Sequence, residues 1–107
     1  ITAFCDNNHM QIDGMTDDIN AVEPVADKWR AFGWNVIDVA DGNDALQVSE
    51  AVKAAKANMG SGKPTMVILN TRKGCGVSFI EAMGAGNHNS NISMDDAKRA
   101  IAEIRGE

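Results

Sequence analysis

Tyrosine is absent from this 107-residue chain, and aromatic residues make up only 5% of it. Little is left to stack on nucleobases. Acidic residues outnumber basic ones, 15 against 10, for a formal net charge of −5. Nucleic-acid binding rests on Lys and Arg contacts to phosphates, so nucleic acid is excluded as a partner. No apolar run approaches the roughly 18 residues of a membrane span, and no basic segment leads into an apolar stretch and cleavage site. The expectation is therefore no membrane partner and a cytoplasmic location. Cys5 and Cys75 are the only cysteines. They lack CxxC spacing and are too few for a disulfide framework, which makes both reduced thiols.

What is present is ordinary in bulk, 44% hydrophobic and 23% charged residues in a length that allows one domain at most. A chain of this size buries roughly two-thirds of its unfolded surface. The informative stretch is Cys5 to Gly14, CDNNHMQIDG, where an apolar run gives way to an acid, two amides, a histidine and a glycine. Ile1 to Cys5 reads as a short buried strand, which puts Asp6, Asn7 and Asn8 just past its carboxyl end, where open α/β sheets place ligands. Three oxygen-bearing side chains there suit a hard cation or a phosphate. They suit equally an Asx-type turn, because Asn and Asp cap their own backbone and tolerate left-handed geometry.

Further along, MTDDINAVE reads as a polar loop, with Pro24 as the first residue of a helix whose stripe is Val25, Trp29 and Phe32 and whose cap is Gly33. Trp29 on such a stripe reads as core. Trp34 to Val39 is a second strand, Asp44 caps a helix carrying Ala45, Val48, Val52, Ala55 and Met59, and Thr65 to Asn70 is a third strand. The continuous apolar middle of that strand, Met66 to Leu69, suits a sheet covered on both faces. A last helix over Met94–Ile104 starts with Ser93 and Asp96 spaced as a capping box. Strands alternating with helices predict an α/β fold in three layers, a mostly parallel sheet with flanking helices. Loops after each strand then gather at one edge of the sheet.

Two of those loops carry chemistry-bearing residues. In TRKGCGVSF, Thr71 to Phe79, two glycines around Cys75 and two cations before it form either a backbone nest for an anion or a tight glycine turn with solvated cations. Cys75 is either a thiol activated by Arg72 and Lys73 or a small residue filling that turn. In EAMGAGNHNSNIS, His88 stands alone in a polar loop, as solvated bystander or as working group.

A strand followed by DNNxxQIDG, and TxKGxGVSF after the third strand, resemble the thiamine-diphosphate enzymes of the transketolase family, and the likeness runs over essentially the whole chain. It implies part of a thiamine-diphosphate-binding fold, with Asn8 giving its side-chain oxygen and Met10 its main-chain carbonyl to Mg²⁺. It implies that Ile12 packs against the cofactor, that Lys73 lies near it, and that His88 reaches cofactor and donor sugar as a catalytic residue. Around His88 the family reads WHGxxP and this chain NHNSN, with a loop about one residue longer. The implied activity moves a two-carbon ketol unit between sugar phosphates. The GDG segment that supplies an aspartate to the metal does not occur here, nor does a pyrimidine-binding domain, so residues 1–107 are expected to be the carboxyl-terminal portion of the diphosphate-binding domain and inactive alone. A start at Ile1, directly in a strand, leads to the same expectation of a fragment. Uncovered apolar surface on that strand points to a homo-oligomer. Two other readings remain: another thiamine enzyme, a deoxyxylulose-phosphate synthase or a 2-oxoacid dehydrogenase, and a non-catalytic α/β binding module.

Overall fold

The structure, a computed structural model, describes residues 1–107. Three strands, β1 (Thr2–Asn7), β4 (Asn35–Val39) and β5 (Thr65–Asn70), form one parallel sheet in the order β1-β5-β4. The register pairs Thr2 with Thr65 through Asn7 with Asn70 on one side, and Asn35 with Thr65 through Val39 with Leu69 on the other. Apolar content decides which strand is central. Thr65, Met66, Val67 and Ile68 are all buried, as a strand covered on both faces requires.

Helices connect the strands. Helix α2 (Val25–Ala31) links β1 to β4, and α3 (Ala45–Ala57) links β4 to β5. The first crossover runs across the sheet and the second comes back, so right-handed connections place the two helices on opposite faces. That gives the helix, sheet, helix layering expected from the alternation. Helix α3 starts where the Asp44 carboxylate accepts the Leu46 N–H at 2.8 Å, and it lays Ala51 and Ala55 on Val39 and Val67. The small alanines let the helix approach closely, with Ile37 and Leu69 packed around the cluster.

Several expectations need correction. The opening strand is not buried: as an edge strand it alternates in exposure, and Phe4 is 53% exposed. Pro24 is the N-cap of α2 rather than its first residue, with the Glu23 carboxylate accepting the Val25 N–H at 2.9 Å. Phe32, placed on the apolar stripe, is 80% exposed beyond the last turn, and Trp29 is only half-buried, edge-on to Trp34 at 4.9 Å. Met59 and Ala45 are exposed, because the buried stripe of α3 runs through Ala51 and Ala55. The segment after Gly14 is no simple loop: β2 (Met10–Gln11) and β3 (Gly14–Met15) make a small antiparallel hairpin leading into α1 (Thr16–Ile19). The stretch before the last helix holds α4 (Ser78–Glu81) and a 3₁₀ turn at Gly84–Asn89.

The last helix, α5 (Met94–Arg105), starts in the capping box expected of Ser93 and Asp96. It meets the body through few contacts, the Glu103 carboxylate accepting Ser78 N–H at 2.7 Å and Arg99 lying 4.3 Å from the Phe79 ring centre. Large apolar side chains on α5 stay in solvent, among them Met94 and Ile104. The radius of gyration is 16.6 Å, where a compact domain of this length has about 13 Å. No helix is long and apolar enough to cross a membrane.

Gly42, between β4 and α3, passes close over the end of the central strand. A Cβ there would sit 2.7 Å from Thr71 Cγ2 and 2.8 Å from Leu69 Cβ. Gly42→Ala should therefore lower stability by about 1–3 kcal/mol through overpacking, read from the urea-denaturation midpoint. A midpoint equal to the parent's would show that the β4–α3 turn has room to move.

Candidate functional site

At the carboxyl edge, β1 and β5 end in asparagines and β4 carries Asp38 next to its last residue, and these side chains bond across the sheet. Asn70 in the central strand donates through Nδ2 to Asp38 Oδ1 (2.8 Å) and the Val39 carbonyl (2.9 Å), and its Oδ1 accepts from Asn7 Nδ2 at 3.3 Å. Thr71 Oγ1 donates to Asp6 Oδ1, and Thr71 N–H to the Asn7 carbonyl at 3.3 Å. The first and third strands' loops are thereby fastened together. Asn7 is one of two buried polar residues, and Glu23 Oε1 accepts the other Nδ2 hydrogen at 2.9 Å.

From this anchored strand end the chain turns over Asn8, His9 and Met10. Asn8 Oδ1 accepts the Met10 N–H at 2.9 Å, the Asx turn that Asn favours, and His9 takes the left-handed region at φ 57°. The His9 carbonyl is held by Thr16, from its backbone N–H at 2.9 Å and its hydroxyl at 3.2 Å. Antiparallel ladders alternate bonded and non-bonded pairs, so a bonded His9–Thr16 rung makes Met10 opposite Met15 a non-bonded rung, with the Met10 carbonyl turned away from β3. Asn8 Oδ1 keeps a second lone pair. The Asx-turn and ligand readings of this stretch therefore fit one geometry.

The other expected residues fall around that turn. Ile12 is at the hairpin tip, 58% exposed. Lys73 is half-buried in the turn after β5 and forms no ion pair, whereas its neighbour Arg72 is held by Glu81 at 3.3 Å and Asp41 at 3.6 Å. His88 is exposed on the 3₁₀ turn, which packs against the β2–β3 hairpin and borders a cleft of about 380 Å³ with Phe79, Ile80 and Ile92. The hairpin and this turn meet where Met10 Cε lies 3.8 Å from the position of a Cβ on Gly84.

Around Cys75, where the sequence allowed either an anion nest or a tight turn, part of the backbone is satisfied internally, while Lys73, Gly74 and Gly76 N–H have no acceptor within the chain. Arg72 N–H goes to Asn43 Oδ1, Cys75 N–H to the Arg72 carbonyl and Val77 N–H to the Gly74 carbonyl. Gly74 holds φ 80° and has Ile80 Cγ2 at 2.9 Å from any added Cβ, so a side chain has no room in this tight turn. Arg72 Nη2 donates to Cys75 Sγ at 3.1 Å, and this, with the nearby acids, pushes the guanidinium's affinity for its proton up further. Burial, then Asp6 and Glu23, push the Cys5 thiol above its ordinary value.

No group of three or more His, Cys, Asp or Glu side chains is placed to hold a metal ion. Any cation here would take an amide oxygen and a backbone oxygen, both hard donors of the kind Mg²⁺ accepts. Glu23, Asn70 and Thr71 were not foreseen as parts of the site. Asn70, polar at the end of an apolar strand, carried a signal; Glu23, in a loop, carried none.

The sequence and the fold agree on a family. Residues 1–105 match the family model described as transketolase, thiamine diphosphate binding domain. The chain belongs to the transketolase family. It is 47% identical over 107 residues to a 6-deoxy-6-sulfo-D-fructose transketolase subunit of Clostridium sp. (strain MSTE9), covering all of this chain and 38% of that protein. It is 37% identical over 102 residues to an apulose-4-phosphate transketolase subunit of Actinobacillus succinogenes, covering 95% and 35% respectively. A crystal structure of a Pichia stipitis transketolase mutant with fructose-6-phosphate superposes with a TM-score of 0.81 at 28% identity, over 98% of this chain and 15% of that one. The chain thus spans little more than a third of the curated relatives named here. The parallel sheet with helices on both faces is the transketolase diphosphate-domain fold.

The transketolase edge has an acid sensitivity built in. Hydrogen bonds from Val25 N–H and Asn7, and then the neighbouring His9 and Lys28, hold Glu23 below the usual carboxylate range; cap bonds from Leu46 N–H and from Ser93 do the same for Asp44 and Asp96. Carboxyls depressed in the folded state stabilise it above their unfolded pKa and lose that contribution as pH falls through the folded value. The thermal midpoint should be level from pH 7 to about 5 and fall below about pH 4. Asp96→Asn should make that acid limb shallower; an unchanged limb would mean these bonds do not differ between folded and unfolded chains.

Proposed function

We propose that this chain is the carboxyl-terminal portion of the diphosphate-binding domain of a transketolase, moving a two-carbon ketol unit between sugar phosphates with thiamine diphosphate and Mg²⁺. The observation that carries the proposal is the Asn8–Met10 turn. It sits at the carboxyl end of an anchored strand, with one amide oxygen and one outward carbonyl available to a cation. Asn8 and Met10 are the metal ligands in this reading, two of about six oxygens, the rest coming from the cofactor's phosphates, water and a carboxylate outside residues 1–107. Ile12 offers exposed apolar surface to the cofactor. Lys73, a cation without a carboxylate partner, suits a diphosphate's negative charge. His88 borders the cleft beside the hairpin and is assigned to the donor sugar as a proton-handling group. When bound, the cofactor supplies a carbon nucleophile that also accepts electrons; the protein supplies position and charge.

The remaining partners follow from the same reading. Two relatives are named as subunits, and this chain covers 38% and 35% of them against 14% of the Nostoc transketolase, which supports a subunit working with a second polypeptide. A homo-oligomer of such units and a cytoplasmic setting complete the proposal. For the donor, the 47% identity to a 6-deoxy-6-sulfo-D-fructose transketolase subunit favours a second reading, a sulfonated ketose in place of a ketose phosphate. Initial rates of the complete enzyme with each donor separate the two.

In the complete enzyme, Asn8→Leu should weaken Mg²⁺ and cofactor binding together by at least tenfold, measured by calorimetry. Cofactor affinity equal to the parent's would overturn the ligand assignment.

Residues 1–107 alone should neither bind thiamine diphosphate with Mg²⁺ in the micromolar range nor transfer a ketol unit, since they offer the metal two neutral oxygens. Measurable transfer by these residues alone would show that the site needs no outside carboxylate.

A further inference from the structure

Glu23 lies in a loop fifteen residues beyond Asn8 in sequence, yet it closes on the same strand end. Its two carboxylate oxygens do different work. Oε2 accepts the Val25 N–H at 2.9 Å and so fixes the carboxylate to the start of α2. Oε1 accepts Asn7 Nδ2 at 2.9 Å and lies 3.6 Å from His9 Nδ1. The residues on either side of Asn8 thus face one carboxylate.

That arrangement matters because the turn has a cost to hold. His9 is the only non-glycine residue at positive φ, a conformation disfavoured for side chains with a Cβ. Asn8 stabilises the turn through its own bond to Met10, but that bond is local and does not set how the turn is aimed relative to the sheet. Aim comes from Asn7, which is 8% exposed and whose amide is shared between Asn70 in the sheet and Glu23 on the helix side. The Glu23 side chain keeps 42% of its surface in solvent, so its burial is not what retains it; the bonds it accepts are its structural content.

We infer that Glu23 is a positioning residue, holding Asn7 and His9 so that the Asn8 oxygen and the Met10 carbonyl present together to the cation. The inference rests on the metal-ligand reading above. Residues that orient ligands in this way typically contribute 10–100-fold to metal affinity. Gln in place of Glu keeps shape and one acceptor oxygen, but its NH2 group occupies the other position and faces either Asn7 or Val25, each of which itself donates.

The test uses the complete enzyme, with Mg²⁺ titrated calorimetrically in the presence of thiamine diphosphate. Glu23→Gln should weaken Mg²⁺ about tenfold, while kcat at saturating Mg²⁺ and cofactor remains at the parent's value and the metal-free thermal midpoint falls only by what the lost carboxylate bonds contribute. Loss of kcat and of midpoint with unchanged Mg²⁺ affinity would assign Glu23 a merely structural role and overturn the inference. A cycle with Asn7→Ala checks the route. If Glu23 acts through Asn7, adding Glu23→Gln to that variant costs far less than tenfold, and a full additional tenfold loss overturns the route through Asn7. Asn8→Leu is measured alongside. Weakening there with no effect of Glu23→Gln sinks the positioning role alone, whereas no effect of Asn8→Leu sinks the site on which it rests.

Discussion

A single carboxamide holds the working edge of this structure together. Asn70 stands at the end of the central strand and bonds to both neighbours, giving hydrogens to Asp38 and Val39 and receiving one from Asn7. An amide has two donors and an acceptor with two lone pairs, so it spans three strands where a carboxylate or an ammonium would be left with repulsion on one side. The loops after β1 and β5 start within a residue or two of that crosslink. The Asn8 turn, the Lys73 turn and Gly42 inherit their positions from it.

The core that supports this edge is small. Eight residues are buried, four of them in the cluster where α3 meets β4 and β5, and many large apolar side chains stay exposed. Phe4, Phe32, Met94 and Ile104 all lie largely in solvent. Net stability in proteins is a small remainder of large terms. With so little buried, the capping bonds and the polar crosslink carry a larger share than they would under a deep core.

Much of this was legible in the sequence because the signals were local. Val67 and Ile68 sit in an unbroken apolar run that only a central strand accommodates, and Asp44 and Ser93 announce helix starts by the bonds their own side chains make a few residues on. The Asn8 motif was found by its pattern, and the bare chemistry was ambiguous because the Asx turn that Asn8 makes leaves its oxygen one further lone pair. What escaped notice depended on distant pairings. Phe4 has the composition of a core residue, but its burial depends on what lies beyond an edge strand. Phe32 follows the helical period one step past the helix end. Glu23 reads as loop polarity until the helix brings it back to Asn7, sixteen residues away.

The order of strands also governs when the edge comes into being. Asn70 meets Asp38 across 32 residues and Asn7 across 63. Doubling a closed loop costs about 0.6 kcal/mol of chain entropy, and distant pairings slow folding. The β4–α3–β5 unit, which also holds the buried cluster, therefore loses less chain entropy on closing than the pairing of β1 does. Strand β1, the edge strand joined by the longer closure, brings Asn7 and the turn at Asn8 with it. The crosslink from Asn7 through Asn70 to Asp38 thus exists only where all three strands are joined.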